Sequence, residues 1–129
     1  MTLLIHNPAG QAAPLGAYSN GVCAPAGGRW LHIAGQVGVQ VDGLLAADFA
    51  AQAEAAWNNL IGVLADAGMA SADLVKVTHY LVRADDLKEY SVVRSRHLGA
   101  ARPASTLVIV QALARPEWLV EVDAVAWHA

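Results

Sequence analysis

Between Asp48 and Gly68 the apolar residues Phe49, Ala53, Ala56, Trp57, Leu60 and Leu64 recur at the spacing of one helical face. Asp48 offers an N-cap oxygen and Gly68 a C-terminal stop, so a helix is predicted over this span. A helix with a single apolar stripe needs a second layer to cover it. The rest of the chain has to supply that layer, and most of it reads as strand.

Residues 17–24 predict a first strand, ended by Pro25-Ala26-Gly27-Gly28, and residues 30–41 a second that runs into a turn at Asp42-Gly43. Leu74 to Val82 is dense in β-branched and aromatic residues and predicts a largely buried strand, which Arg83-Ala84-Asp85-Asp86 ends. Asp85 or Asp86 then caps a shorter helix with Leu87, Tyr90, Val93 and His97 on one face, closed by Gly99. Two more strands, 105–113 and 118–127, are separated by Ala114-Arg115-Pro116-Glu117, a span suited to a hairpin connection.

The predicted order is β-β-α-β-α-β-β, an α+β arrangement. Each strand-helix-strand step returns right-handed onto the same sheet, so both helices lie on one face of a mixed sheet. The opposite face is left uncovered. With 56% hydrophobic and only 15% charged residues among 129, that face is expected to be buried by self-association in a closed ring. The length suits a single domain spanning residues 1–129.

Composition also excludes functions. No apolar run reaches the roughly 20 residues that cross a bilayer, and the first residues lack a basic region, so a cytoplasmic protein without membrane contact is expected. The lone cysteine, Cys23, excludes an intrachain disulfide or thiolate cage and reads as a buried or half-buried structural thiol. Net charge is −3 and the eight Lys and Arg residues are scattered, which argues against nucleic acid as a partner. His6, His32, His79, His97 and His128 show no metal-ligand spacing, and no glycine-rich phosphate loop or nucleophile elbow is present. Neither a metal nor a nucleotide cofactor is expected. His79 in a buried strand reads as a hydrogen-bonded core or interface residue, and His97 as packing at a helix end.

Four segments stand out: Gly16-Ala17-Tyr18-Ser19, Ala34-Gly35-Gln36, Pro103-Ala104-Ser105-Thr106, and the stretch from Leu119 to Ala126 that contains Glu121. In order and spacing they resemble the YjgF/RidA (reactive-intermediate deaminase) family over nearly the whole chain. The resemblance implies a chorismate-mutase-like fold, a homotrimer whose sheets line a central barrel, and small-molecule clefts at the subunit boundaries. It also implies a glutamate that positions the attacking water, here Glu121 as the catalytic residue, and contacts to a ligand from Tyr18, Gly35, Ser105 and Thr106.

One departure matters. Family members with imine deaminase activity carry an arginine after the Pro-Ala pair, and this chain has Ser105 there. A guanidinium grips a carboxylate through two charge-assisted hydrogen bonds, whereas a serine offers one weaker donor and no charge. An enzyme built on this chain either takes a substrate with no carboxylate at that spot or recruits Arg94, Arg96 or Arg102 instead. The resemblance therefore implies a small-molecule hydrolase of the imine or enamine deaminase type acting on something other than ordinary 2-imino acids; the alternative is a non-catalytic small-molecule-binding trimer. On strand alternation alone, Glu121 points away from Val120 and Val122 with Asp123 on its own side. Carboxylates so placed are most often solvated surface charges, and only the resemblance singles out Glu121.

Overall fold

A computed structural model describes residues 2–129. Three strands come first: β1 (Leu4–His6), β2 (Gly21–Cys23) and β3 (Arg29–Val37). Helix α1 (Phe49–Asp66), β4 (Leu74–Leu81), helix α2 (Leu87–Leu98), β5 (Ala104–Ile109) and β6 (Val120–His128) follow. β3, β6, β4 and β5 form one mixed sheet in that spatial order, with both helices packed on one face, and β1 and β2 pair as a separate ribbon.

The helices form for the reasons the sequence supplies. Asp48 is extended and its carboxylate accepts from the Ala51 N–H at 2.9 Å, while Gly68 leaves the helix at φ 73°. Ala53, Ala56, Trp57, Leu60 and Leu64 are fully buried along the predicted stripe. They meet the sheet residues Val77, Leu81, Val120, Val122 and Ala126, also fully buried. Each large apolar side chain so covered is worth about 1.5–3 kcal/mol, which makes this seam the principal stabilising layer. On α2 the buried positions are Tyr90, Val93 and Leu98, whereas Leu87 is 43% exposed, so the covered stripe begins one turn later than predicted. Asp86 stands at the N-cap of α2 but bonds Arg83 Nε at 2.8 Å instead of a helix N–H.

Four further expectations are corrected. β1 is an additional strand, too short at three residues to show any alternation, and the first predicted strand shrinks to Gly21–Cys23 because Gly16 and Tyr18 close a tight turn before it. Strands 105–113 and 118–127 do not form a hairpin. β6 pairs antiparallel with both β3 and β4, while β5 runs parallel to β4 at the sheet edge. The crossover through α2 commits β5 to a parallel neighbour, and β6, apolar at Val120, Val122, Ala124 and Ala126, takes the central position against α1. Third, β3 ends at Val37 and not Val41, because Gly38 is pressed onto the α1 backbone at Gln52, where a Cβ would lie 2.6 Å from Gln52 Cα. Fourth, Cys23 is exposed at the end of the ribbon and not buried.

Candidate functional site

The open face of the sheet gathers the acidic residues. Glu121 pairs in register with Val37 of β3 on one side and Tyr80 of β4 on the other. Asp123 lies two residues on, opposite Thr78, and its carboxylate accepts from the Tyr80 hydroxyl at 2.7 Å. Between Ile33 and Gln36 the register of β3 slips by one residue against β6, a bulge formed at Ala34-Gly35. The bulge brings Gly35 under Glu121: a Cβ at this glycine would collide with the Glu121 carboxylate. Glycine there lets the carboxylate lie across bare backbone.

No donor among the described residues is bonded to the Glu121 carboxylate, and the residue is half-buried. Burial first, and the Asp123 charge second, raise its pKa above the usual carboxylate value. The hydrogen bond to Asp123, followed by burial, likewise raises the pKa of Tyr80. Glu121 thus presents unpaired oxygens with enhanced proton affinity beside a backbone that another molecule can approach.

Ser105 faces the other way. Its Oγ lies 3.0 Å from His79 Nε2 on the helix side of the sheet. His79 is fully buried, and its Nδ1 is bonded to the Tyr90 hydroxyl, which in turn accepts the Trp57 indole N–H at 3.1 Å. Burial, then the charges of Arg94 and Lys76, bring the His79 pKa down to about 3, so the ring is neutral. These four side chains come from α1, α2, β4 and β5, and no local sequence pattern links them.

Next to Ser105 runs the turn that carries Tyr18. Ser19 bridges in parallel to Ala104, its N–H donating to Pro103 O at 3.0 Å, so this segment extends the sheet beyond the β5 edge. The Tyr18 oxygen accepts the Leu15 N–H at 3.1 Å, leaving its own hydrogen unassigned. Thr106 returns to the open face, in one row with Thr78 and Asp123, and its hydroxyl accepts from Lys76 Nζ at 2.6 Å.

The five residues singled out in the sequence therefore fall into two groups within one chain. Glu121 and Gly35 touch each other at the bulge, with Thr106 on the same face at the edge strand. Tyr18 and Ser105 belong to the β5 edge on the helix side. Tyr80 and His79 join these groups without having been chosen as site residues; His79 lies in the buried row of β4 with Val77 and Leu81 and Tyr80 in the alternate row, a signal as compatible with packing as with function. Of the three arginines weighed as substitutes, Arg96 pairs with Glu54 at 2.9 Å, and Arg102 donates to the Gly99 and Ala101 carbonyls at 2.8 Å. Arg94 alone reaches the Tyr18 turn, its Nη2 lying 3.8 Å from where a Cβ would stand on Gly16. Among the described residues no cluster of His, Cys, Asp or Glu could hold a metal ion, and no helix is long and apolar enough to cross a membrane.

Comparison with known proteins points one way. A family model described as endoribonuclease L-PSP matches residues 9–128. A RutC family protein of Pyrococcus horikoshii is 30% identical over 116 residues, which cover 88% of this chain and 89% of the relative. The Rid-family protein YyfB of Yersinia pestis, described as of unknown function, is 34% identical with a TM-score of 0.88, covering 99% of this chain and all of that one. RidA of an Antarctic Psychrobacter is 29% identical with a TM-score of 0.74, covering 90% and 92%.

Proposed function

The chain belongs to the endoribonuclease L-PSP family, the YjgF/RidA proteins, and from that premise we propose that it is a small-molecule hydrolase of the imine and enamine deaminase type. On this reading the whole chain acts as one domain and assembles as a homotrimer. The observation that carries the chemistry is Glu121: a half-buried carboxylate of raised pKa, laid over Gly35, with no donor bonded to it among the described residues.

Such a carboxylate accepts a proton from water as the water oxygen bonds to the imine carbon, giving a carbinolamine. Passing that proton to nitrogen completes the carbinolamine, and moving the hydroxyl proton to the same nitrogen through Glu121 lets the carbon-nitrogen bond break as the carbon-oxygen double bond forms. The products are a carbonyl compound and ammonia, with water as the only co-reactant. Tyr18, Ser105 and Thr106 each have a hydroxyl that can turn to a ligand. Because they do not all lie with Glu121 in one chain, the reading requires a second copy to bring the β5 edge against the open face. A homotrimer does this three times and covers that face as well.

Ser105, bonded inward to His79 in place of an arginine, favours one second reading: a trimer that binds a small molecule without turning it over. RNA is a weaker candidate than the family name endoribonuclease suggests. Of eight basic residues, Arg83 and Arg96 pair with acids and Arg29 and Arg102 bond backbone carbonyls, while the net charge is −3. The deciding test is ammonia release from a panel of imines generated in situ, with and without carboxylates. Release above the spontaneous rate for at least one member is expected. No acceleration across the panel, alongside measurable binding, overturns the hydrolase reading in favour of the binder.

A further inference from the structure

Tyr80 of β4 stands directly across from Glu121 of β6, and a phenol in that register can donate to either carboxylate of the open face. It donates to Asp123, the diagonal neighbour, at 2.7 Å. Diagonal positions across an antiparallel pair lie about 7–8 Å apart, within the span of an aromatic side chain. The bond therefore ties the Glu121 row to the Asp123 row, and it uses the one hydrogen Tyr80 has to give. Glu121 is left with no bonded donor among the described residues, lying over the bare backbone of Gly35.

This division of partners matters because the two possible bonds have opposite effects. A phenol donated to Glu121 would stabilise its charged form and weaken it as a base, whereas a second carboxylate held nearby strengthens it. The remaining charged or titratable groups of this face are few. Lys76 on β4 donates to Thr106 at 2.6 Å, and His32 on β3 pairs in register with Val125, two residues beyond Asp123. Strand β5 brings no titratable side chain, and both helices pack on the opposite face. Asp123 is the charge that acts on Glu121, second only to burial in raising its pKa. The same hydrogen bond is the first cause of the raised pKa of Tyr80, so the phenol keeps its hydrogen and remains a donor.

We propose that Tyr80 and Asp123 are positioning residues for Glu121: the phenol is engaged by Asp123, which keeps it off Glu121 and fixes a second carboxylate beside the one that takes a proton from water. Their function rests on the hydrolase reading, but the arrangement itself is measured without turnover.

Carbon-13 NMR titration of the Glu121 carboxyl and the Tyr80 phenol in the assembled protein tests it, with Glu121→Gln and Tyr80→Phe assigning the two signals. Asp123→Asn removes the charge and keeps an oxygen for the phenol; the Glu121 midpoint should fall to lower pH, and the Tyr80 midpoint should fall with it. Glu121→Gln should leave the Tyr80 midpoint largely raised. Tyr80→Phe keeps the ring and frees Asp123 to turn toward water, so the Glu121 midpoint should fall part of the way. A Glu121 midpoint unmoved by Asp123→Asn overturns the proposal, as does a Tyr80 midpoint that drops with Glu121→Gln and not with Asp123→Asn. A Glu121 midpoint unchanged or raised in Tyr80→Phe removes Tyr80 from it. On an imine that the protein hydrolyses, the acid limb of the kcat/KM profile should move to lower pH in Asp123→Asn together with the NMR midpoint, a shift that a merely structural role does not produce; a limb that stays in place while the midpoint moves also overturns it. Absence of ammonia release across the panel with the NMR shifts as expected sinks the hydrolase reading and leaves the pairing standing, so the two failures are told apart.

Discussion

Glu121 and His79 are both half of a buried polar problem, and they solve it with opposite signs. Burial raises the Glu121 pKa, so its contribution to stability is fully present below about pH 4.5 and is lost as pH rises through the folded-state value. Burial lowers the His79 pKa to about 3, so its contribution is present above about pH 6.5 and lost as pH falls toward 3. Urea unfolding at pH 7 and pH 4 should therefore reveal a loss of several kcal/mol on acidification that His79→Gln largely removes; an unchanged pH slope in the variant contradicts a neutral, buried His79. Gly35 allows a sharper test. A methyl group there pushes the Glu121 carboxylate aside, and a displacement of about 1 Å in a catalytic group costs roughly 100-fold, so Gly35→Ala should reduce kcat/KM by that order in the ammonia assay. His79 was legible as a hydrogen-bonded core residue from its place in a buried strand, but its partners Tyr90 and Ser105 were not, and Gly35 lies at a bulge visible only once β3 is laid on β6.

At the scale of elements, the two helices illustrate why some boundaries are legible and others are not. Asp48, followed by a regular apolar stripe and Gly68, states α1 locally, and the carboxylate does cap it. Asp86 occupies the same position on α2 but is drawn to Arg83. Asp48→Ala should consequently lower stability by about 1 kcal/mol in denaturant unfolding, whereas Asp86→Ala, removing an exposed pair and no cap bond, should cost less than half of that. Strand existence was legible from β-branched content in β4, β5 and β6, but strand partners were not. Adjacent strands separated by a short polar span predict a hairpin, and only the α2 crossover, a non-local constraint, sends β5 to the edge and β6 to the centre. Ser105 and Glu121 were both legible as positions through the family resemblance, while the faces they occupy followed from that sheet order.

The sheet face opposite the helices carries Glu121 and Asp123, and on it Trp30, opposite Trp127 at the far end of β6, and Val108, in the row of Tyr80 and Glu121, remain exposed. A trimer that closes this face should run in solution at three times the 13.5 kDa chain mass. Val108→Lys, which places a charge on that face, should shift the mass measured by light scattering toward the single chain and abolish ammonia release together with it. In that proposed trimer, Ser105 and Tyr18 at one edge and Glu121 with Gly35 at the bulge would be the two halves of each cleft. The measurement that bears most directly on the proposed hydrolase compares ammonia release by the unmodified protein and Glu121→Ala, at equal assembled mass, on whichever imine the panel identifies. Release by the variant at the spontaneous rate, with the assembly intact, is the predicted result; release at the unmodified rate would contradict it.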